Sequence, residues 1–179
     1  MRTFALATAA LVSALVLSGC TATPLQSPSL TPPAQSDEML NSDLQPHPLA
    51  DASESTAKAE ATRLADAMQA LIESSMILNV EDQSQLAPPD DDIAAYYIAF
   101  RNISLDPSVD SQVLAETISG VLEQSGWTSY DSTNEGGIYI AALTGGTEES
   151  SWFVVISGDA SVEGQSLVTI QLASPDVTE

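Results

Sequence analysis

Six prolines lie within residues 21–50, and they limit where a packed domain can begin. Ser, Thr and Gln supply much of the rest of this segment, so it lacks the apolar surface that would offset the entropy of ordering it. We therefore expect a flexible tether over residues 20–52. That leaves one domain of ordinary size over residues 53–175, followed by a short tail over residues 176–179.

The only cysteine, Cys20, stands just after a mostly apolar run. This run, residues 4–17, follows a single cationic residue, Arg2, and is shorter than the roughly 20 residues that a membrane span needs. It is typical of the apolar region of an export signal peptide. A lone cysteine cannot form an internal disulfide bond, so its role must be inferred from its position.

Residues 17–20, LSGC, resemble the lipobox of bacterial lipoproteins. The resemblance implies cleavage after Gly19, which makes residues 1–19 the signal peptide. It also implies a diacylglyceryl thioether on Cys20, with fatty chains such as palmitate. Two or three acyl chains anchor a protein stably. We therefore expect a secreted protein, anchored by lipid to the extracytoplasmic face of the bacterial cell membrane.

The net charge is strongly negative, because 4 basic residues stand against 25 acidic ones to give −21. Such a chain is repelled by the phosphates of nucleic acids and by anionic lipid headgroups. The charge therefore excludes nucleic acid as a partner. It remains compatible with a cationic partner, with bound Ca²⁺, or with simple solubility.

Two amphipathic helices are predicted in the domain. Apolar residues recur at helical spacing over residues 55–78, where Asp51, Ser53 or Ser55 could cap the start. Asp106 and Pro107 are typical of the start of the second helix, and Gly126 predicts its end in a Schellman motif. Its expected buried stripe consists of Val113, Leu114, Ile118, Val121 and Leu122.

The other segments predict strands and turns. Residues 83–92 read as a loop. Residues 93–105 fit a helix or a strand, and their aromatic residues favour the strand. Further strands are expected over residues 127–131, 137–144, 151–157 and 167–173, with turns at residues 132–137 and at Gly145 and Gly146. The order α-β-α-β-β-β-β predicts an α+β two-layer sandwich: an antiparallel sheet of about five strands with two helices on one face.

A helix that ends in Gly126 and Trp127, followed by strands that close on Ser174 and Pro175, resembles the small secreted lipoproteins of actinobacteria. The resemblance covers residues 109–175 and the LSGC segment. That group is mostly uncharacterised, so it implies an envelope location but no activity. Many of its members carry a cysteine after the final Ser-Pro. Asp176 stands there in this chain, which excludes a disulfide-stapled version of the fold.

Several motifs could carry chemistry. Ser55 and Lys58 match the S-x-x-K pattern of penicillin-recognising enzymes, but the chain has no second lysine for their K-T-G motif, so a helix cap explains the pair better. The lone histidine, His47, lies in the expected tether, which excludes a His-dependent triad in the domain. Asp90, Asp91 and Asp92 could hold Ca²⁺ weakly, whereas DSTNEG at residues 131–136 reads as a hairpin turn rather than a calcium loop.

Four aromatic residues fall on neighbouring predicted strands: Trp127, Tyr130, Tyr139 and Trp152. They could line a binding face or complete a small core. We expect a non-enzymatic domain that has no cofactor and binds an envelope protein or a cell-wall component. The alternatives are a carboxylate-dependent hydrolase of cell-wall polymers and a carrier of apolar ligands. Paired acids in a cleft would favour the hydrolase, and a large dry pocket would favour the carrier.

Overall fold

The computed structural model describes residues 42–49, 51, 53–89 and 94–177. The predicted signal peptide, the predicted lipidation site Cys20 and the three aspartates at 90–92 lie outside these residues. The described part contains two α-helices and six strands. The helices are α1, Glu54–Gln69, and α2, Ser111–Gln124. The strands are β1, Ile77–Ala87; β2, Tyr96–Leu105; β3, Thr128–Glu135; β4, Ile138–Thr147; β5, Ser150–Asp159; and β6, Leu167–Asp176.

The described strands form one antiparallel sheet in the order β1-β2-β6-β5-β4-β3. Helix α1 packs on β2 and β6, while α2 packs mainly on β5 and β4. We call the helix-covered side of the sheet the inner face and the opposite side the outer face. The predicted α+β arrangement of two layers is confirmed. The core between the layers is filled by side chains of both helices and of β2, β4, β5 and β6.

The prediction missed β1, so the sheet has six described strands rather than about five. The first helix was expected to continue to residue 78, but α1 ends at Gln69 and a turn places Ile72 in the core. Residues 83–87, predicted as loop, pair with β2. The chain order is therefore α-β-β-α-β-β-β-β. Strand β1 lies at the sheet edge and is mostly polar, so the alternation that predicts a strand is absent from its sequence.

The start of α2 also differs from the prediction. Asp106 does not cap the helix; its carboxylate accepts the backbone N–H of Ser108 at 2.9 Å and holds a turn. Asp110 is the cap, accepting the N–H groups of Gln112 and Val113, each at 3.1 Å. Val113, expected in the buried stripe, is 57% exposed because the face of α2 that packs on the sheet is formed by Ala115, Ile118, Ser119 and Leu122.

The end of α2 is the predicted Schellman motif. The N–H of Trp127 donates to the carbonyl of Leu122 at 3.0 Å, and that of Gly126 donates to Glu123 at 3.1 Å. Gly126 has a φ of +96°, which glycine adopts without steric cost. The motif turns the chain directly into β3.

The two glycines at 145 and 146 do not form the predicted turn. They lie in β4, and the chain turns at Glu148 and Glu149 instead. A Cβ on Gly145 would come 2.6 Å from the ring of Trp127, so a glycine is needed there for close packing. Strand β3 likewise continues through Glu135, beyond its predicted end at residue 131.

Residues 42–49, which we call the N-terminal clip, were expected in the tether but pack on the domain. Leu44 is fully buried, and its carbonyl accepts the indole N–H of Trp127 at 2.8 Å. Arg63 of α1 donates to the carbonyls of Asp43 at 2.5 Å and Gln45 at 2.7 Å. The packed domain therefore begins by residue 42. Because most of these bonds are made to backbone atoms, the polar, proline-containing sequence does not indicate them.

Candidate functional site

Both described helices pack on the inner face of the sheet, so neither of them covers the outer face. In an antiparallel sheet, directly opposite residues point to the same face. The register therefore aligns outward side chains in rows across the strands. One row joins Ile98, Ala173, Phe153 and Thr144, and the next joins Phe100, Gln171, Val155 and Ala142. These positions alternate with buried inner-face residues such as Ile170 and Val154.

Aromatic side chains stand near both ends of these rows. Tyr130, 77% exposed, lies at a bulge in β3 and meets Phe153 of β5 edge to face, with ring centroids 6.4 Å apart. Phe153 is itself 37% exposed, and Phe100 is half-buried near the other end. The outer face thus has an apolar, aromatic centre that no described segment covers.

An open groove of about 760 Å³ lies over β1, β2 and β6. Its apolar part is formed by Ile98 and Phe100, and its polar part is formed by Gln83, Gln85 and Gln171, with the edge strand at Asp82 and Ser84. Its size falls within the range of ligand sites, roughly 300–1,000 Å³. The groove can therefore hold several side chains of a bound segment.

Basic residues are absent from the described outer face. Lys58 and Arg63 lie on α1, and Arg101 points from β2 into the inner side. The acids of the outer face stand at its margins, with Glu81 on the edge strand β1 and Asp131 on the opposite edge strand β3. The centre, in a chain of net charge −21, carries amides, hydroxyls and apolar groups.

The structure separates the four aromatic residues that were predicted as a possible binding face. Trp127, Tyr139 and Trp152 are buried at 3%, 9% and 0% exposure, so of the two alternatives that the sequence left open they complete the core. Only Tyr130 lies on the outer face. The prediction missed Phe100 and Phe153. Phe100 lies between the partly buried Ala99 and the buried Arg101, and Phe153 lies between the buried Trp152 and Val154, so both follow a period of two. The outward-facing residues of a strand can be identified only after it is known which alternate residues face the helices.

Arg101 links three elements on the inner side of the sheet. Its guanidinium bonds Asp82 of β1 at 2.6 Å and Asp66 of α1 at 2.8 Å, and it also donates to Gln69 at 3.0 Å. Burial opposes the charge, yet the bonds to Asp82 and Asp66 outweigh it and raise the pKa of Arg101 above its ordinary value. Two carboxylates bond one guanidinium, so the cluster keeps a net negative charge on the inner side of the sheet.

A second ionic cluster fastens the N-terminal clip. The carboxylate of Glu60 receives Arg63 at 2.5 Å and the backbone N–H of His47 at 2.7 Å. Burial alone would raise the pKa of Glu60, but the bonds from Arg63 and His47 outweigh it and lower that pKa below 4.5. Glu60 is therefore ionised when the clip is docked.

The lowered pKa of Glu60 predicts a loss of stability in acid. The contribution of this carboxylate is complete above pH 4.5 and disappears as the pH falls below that value toward the folded-state pKa. Urea unfolding of the wild type and of Glu60→Gln at pH 7 and at pH 3 measures it. We expect the difference in stability between the two proteins to be smaller at pH 3 than at pH 7; an equal difference at both pH values would contradict the assignment.

The remaining motifs do not assemble a catalytic site among the described residues. Ser55 and Lys58 are exposed on the first turns of α1, where Ser53 is the cap, accepting the N–H of Thr56 at 3.4 Å. Within the same residues, no group of three or more potential ligands could hold a metal ion. Residues 131–136 run along β3 into the turn at Gly136.

Four carboxyl groups of the described residues have a shifted pKa, and in each of them the pKa is lowered. They belong to Asp51, Glu60, Asp106 and Asp159. Hydrogen bonds from neighbouring serine groups dominate the shift at Asp51, Asp106 and Asp159. A general acid needs the opposite shift. The space between the helices and the sheet is filled by fully buried side chains such as Trp152, Leu64 and Met68.

The chain matches no protein-family model and no curated protein. No helix within the described residues combines the length and the apolarity needed to cross a membrane. The fold defines an α+β two-layer domain with one open sheet face.

Proposed function

We propose that this chain is a lipid-anchored envelope protein whose domain binds another protein through the outer face of its sheet. One observation carries the proposal: the face has an apolar, aromatic centre that is poor in charge, within a highly acidic chain. Depletion of charge at the centre together with aromatic side chains is the compositional signal of a protein interface. Phe153, Tyr130 and Phe100 would supply its contact area.

The position of the N-terminal clip supports the same proposal. The clip lies along the helix layer, where Glu60 and Arg63 of α1 and the indole of Trp127 hold it. The chain therefore enters the domain on the side opposite the outer face. A tether that joins there leaves the outer face free for a partner.

Photo-crosslinking in the native envelope tests the interface. Benzoylphenylalanine replaces Gln171, which is exposed at the centre of the outer face, or Glu116, which is exposed on α2. We expect adducts with another protein from position 171 and few or none from position 116. Equal yields from the two positions, or none from 171, would refute the interface.

The lipid anchor has its own test. Replacing Cys20 with serine removes the thiol that the resemblance to a lipobox makes the attachment point. We expect this variant in the medium or in the soluble fraction, while the wild type sediments with membranes. Continued sedimentation of the variant would contradict the anchor.

A further inference from the structure

We infer that the partner presents a cationic surface, with lysine or arginine side chains that enter the groove beside Phe100 and meet the acids at the margins of the outer face. This inference rests on the proposed function and specifies the chemistry of its partner. The occupant is a protein segment, because the outer face combines an apolar centre, which suits apolar side chains, with an acidic border, which suits basic ones.

The electrostatics of the outer face carries the first step. Acids occupy both edge strands, with Glu81 on β1 and Asp131 on β3, and the described basic residues all lie elsewhere. A face bordered by one sign of charge attracts the opposite sign and rejects its own. It therefore disfavours a second copy of this chain, whose outer face would bring the same acids.

The groove supplies the second step. A lysine or arginine has an aliphatic stem and a charged head, and the stem packs on apolar surface while the head remains hydrated. Ile98 and the ring of Phe100 offer that surface, and a cation over an aromatic ring is attracted to its face. The side-chain carbonyls of Gln83, Gln85 and Gln171 can accept hydrogen bonds from the head.

The direction of Arg101 supplies the third step. Its guanidinium lies on the inner side of the sheet, where Asp82 of β1 and Asp66 of α1 bond it at 2.6 Å and 2.8 Å. The one basic residue on β1, β2 and β6 therefore points away from the groove and does not repel a cationic head group placed there.

Charge reversal separates this inference from the proposed function. Glu81→Lys with Asp131→Lys reverses the border, and Glu116→Lys with Glu123→Lys makes the same change of net charge on exposed positions of α2. Each pair is combined with benzoylphenylalanine at position 171, and the adduct yield is measured in native envelopes. We expect the border pair to lower the yield by about tenfold and the α2 pair by less than about twofold. Circular dichroism confirms that both variants are folded.

The other outcomes each decide something. Adducts that persist equally in both variants would overturn the cationic partner and leave the interface standing. Adducts with a second copy of this chain would overturn the inference, and a purely saccharide adduct at position 171 would overturn the protein partner as well. In the protein that carries benzoylphenylalanine at position 171 and no charge reversal, the crosslinked segment of the partner should be rich in lysine or arginine; a neutral or acidic segment would contradict the inference.

Discussion

Replacing Gly158 with alanine should destabilise the fold by about 3 kcal/mol, because β5 has no room for a side chain at this position. A Cβ there would overlap the carbonyl oxygen of Ser111 and come 2.9 Å from the Cα of Gln112. Both are backbone atoms at the start of α2, so neither can rotate away. Only a shift of the whole helix could relieve the overlap. Urea unfolding at pH 7 measures the change.

The matched control is Gly120→Ala, the same substitution in the middle of α2. A Cβ at Gly120 meets nothing within 4 Å. Alanine is a better helix former than glycine by about 1 kcal/mol, so this variant should be more stable than the wild type. Changes of the same sign in the two variants would show that α2 does not pack on β5 as described.

Removing the two acids around Arg101 should lower the free energy of unfolding by more than removing Arg101 itself. The guanidinium is only 8% exposed, whereas the side chains of Asp66 and Asp82 are 64% and 61% exposed. In Asp66→Ala with Asp82→Ala, a buried cation loses its partners, which costs about 3 kcal/mol. In Arg101→Met, the freed carboxylates are rehydrated and an apolar chain fills the space. We therefore expect a loss of roughly 1 kcal/mol or less.

The comparison is made by urea unfolding of both variants beside Glu81→Ala, which removes an exposed acid next to Asp82. That control should change stability by no more than about 0.5 kcal/mol. A larger loss in Arg101→Met than in the double variant would contradict the view that burial of the guanidinium sets the energy of this cluster.

The parts of the fold that sequence could predict are those with strong periodicity. Strands β4, β5 and β6 alternate apolar and polar residues because one side of each faces the helices. The end of α2 could be predicted because a glycine, here Gly126, adopts the left-handed backbone angle that ends the helix. Strand β1 and the N-terminal clip could not be predicted from the sequence. Their stabilisation comes from backbone pairing with β2 and from bonds to Arg63 and Glu60, which leave little trace in local composition.

The candidate site was less accessible to sequence reasoning than the fold. Trp127, Tyr139 and Trp152 are aromatic and lie close together along the chain, yet tertiary packing turns them into the core. Phe100 and Phe153 are also aromatic residues on strands, but they occupy the alternate positions that point to the outer face. The absence of basic residues from the described outer face could not be foreseen either. It depends on Arg101 pointing inward, which the register of β2 against β6 determines.

Hydroxyl-radical footprinting tests the central claim, that the outer face is covered by a partner in the envelope. The reactivity of side chains is compared between purified protein and intact envelopes. We predict that Tyr130 and Phe153 are protected in envelopes, while Val113, which is 57% exposed on α2, reacts equally in both. Equal oxidation of Tyr130 and Phe153 in the two samples would contradict the account.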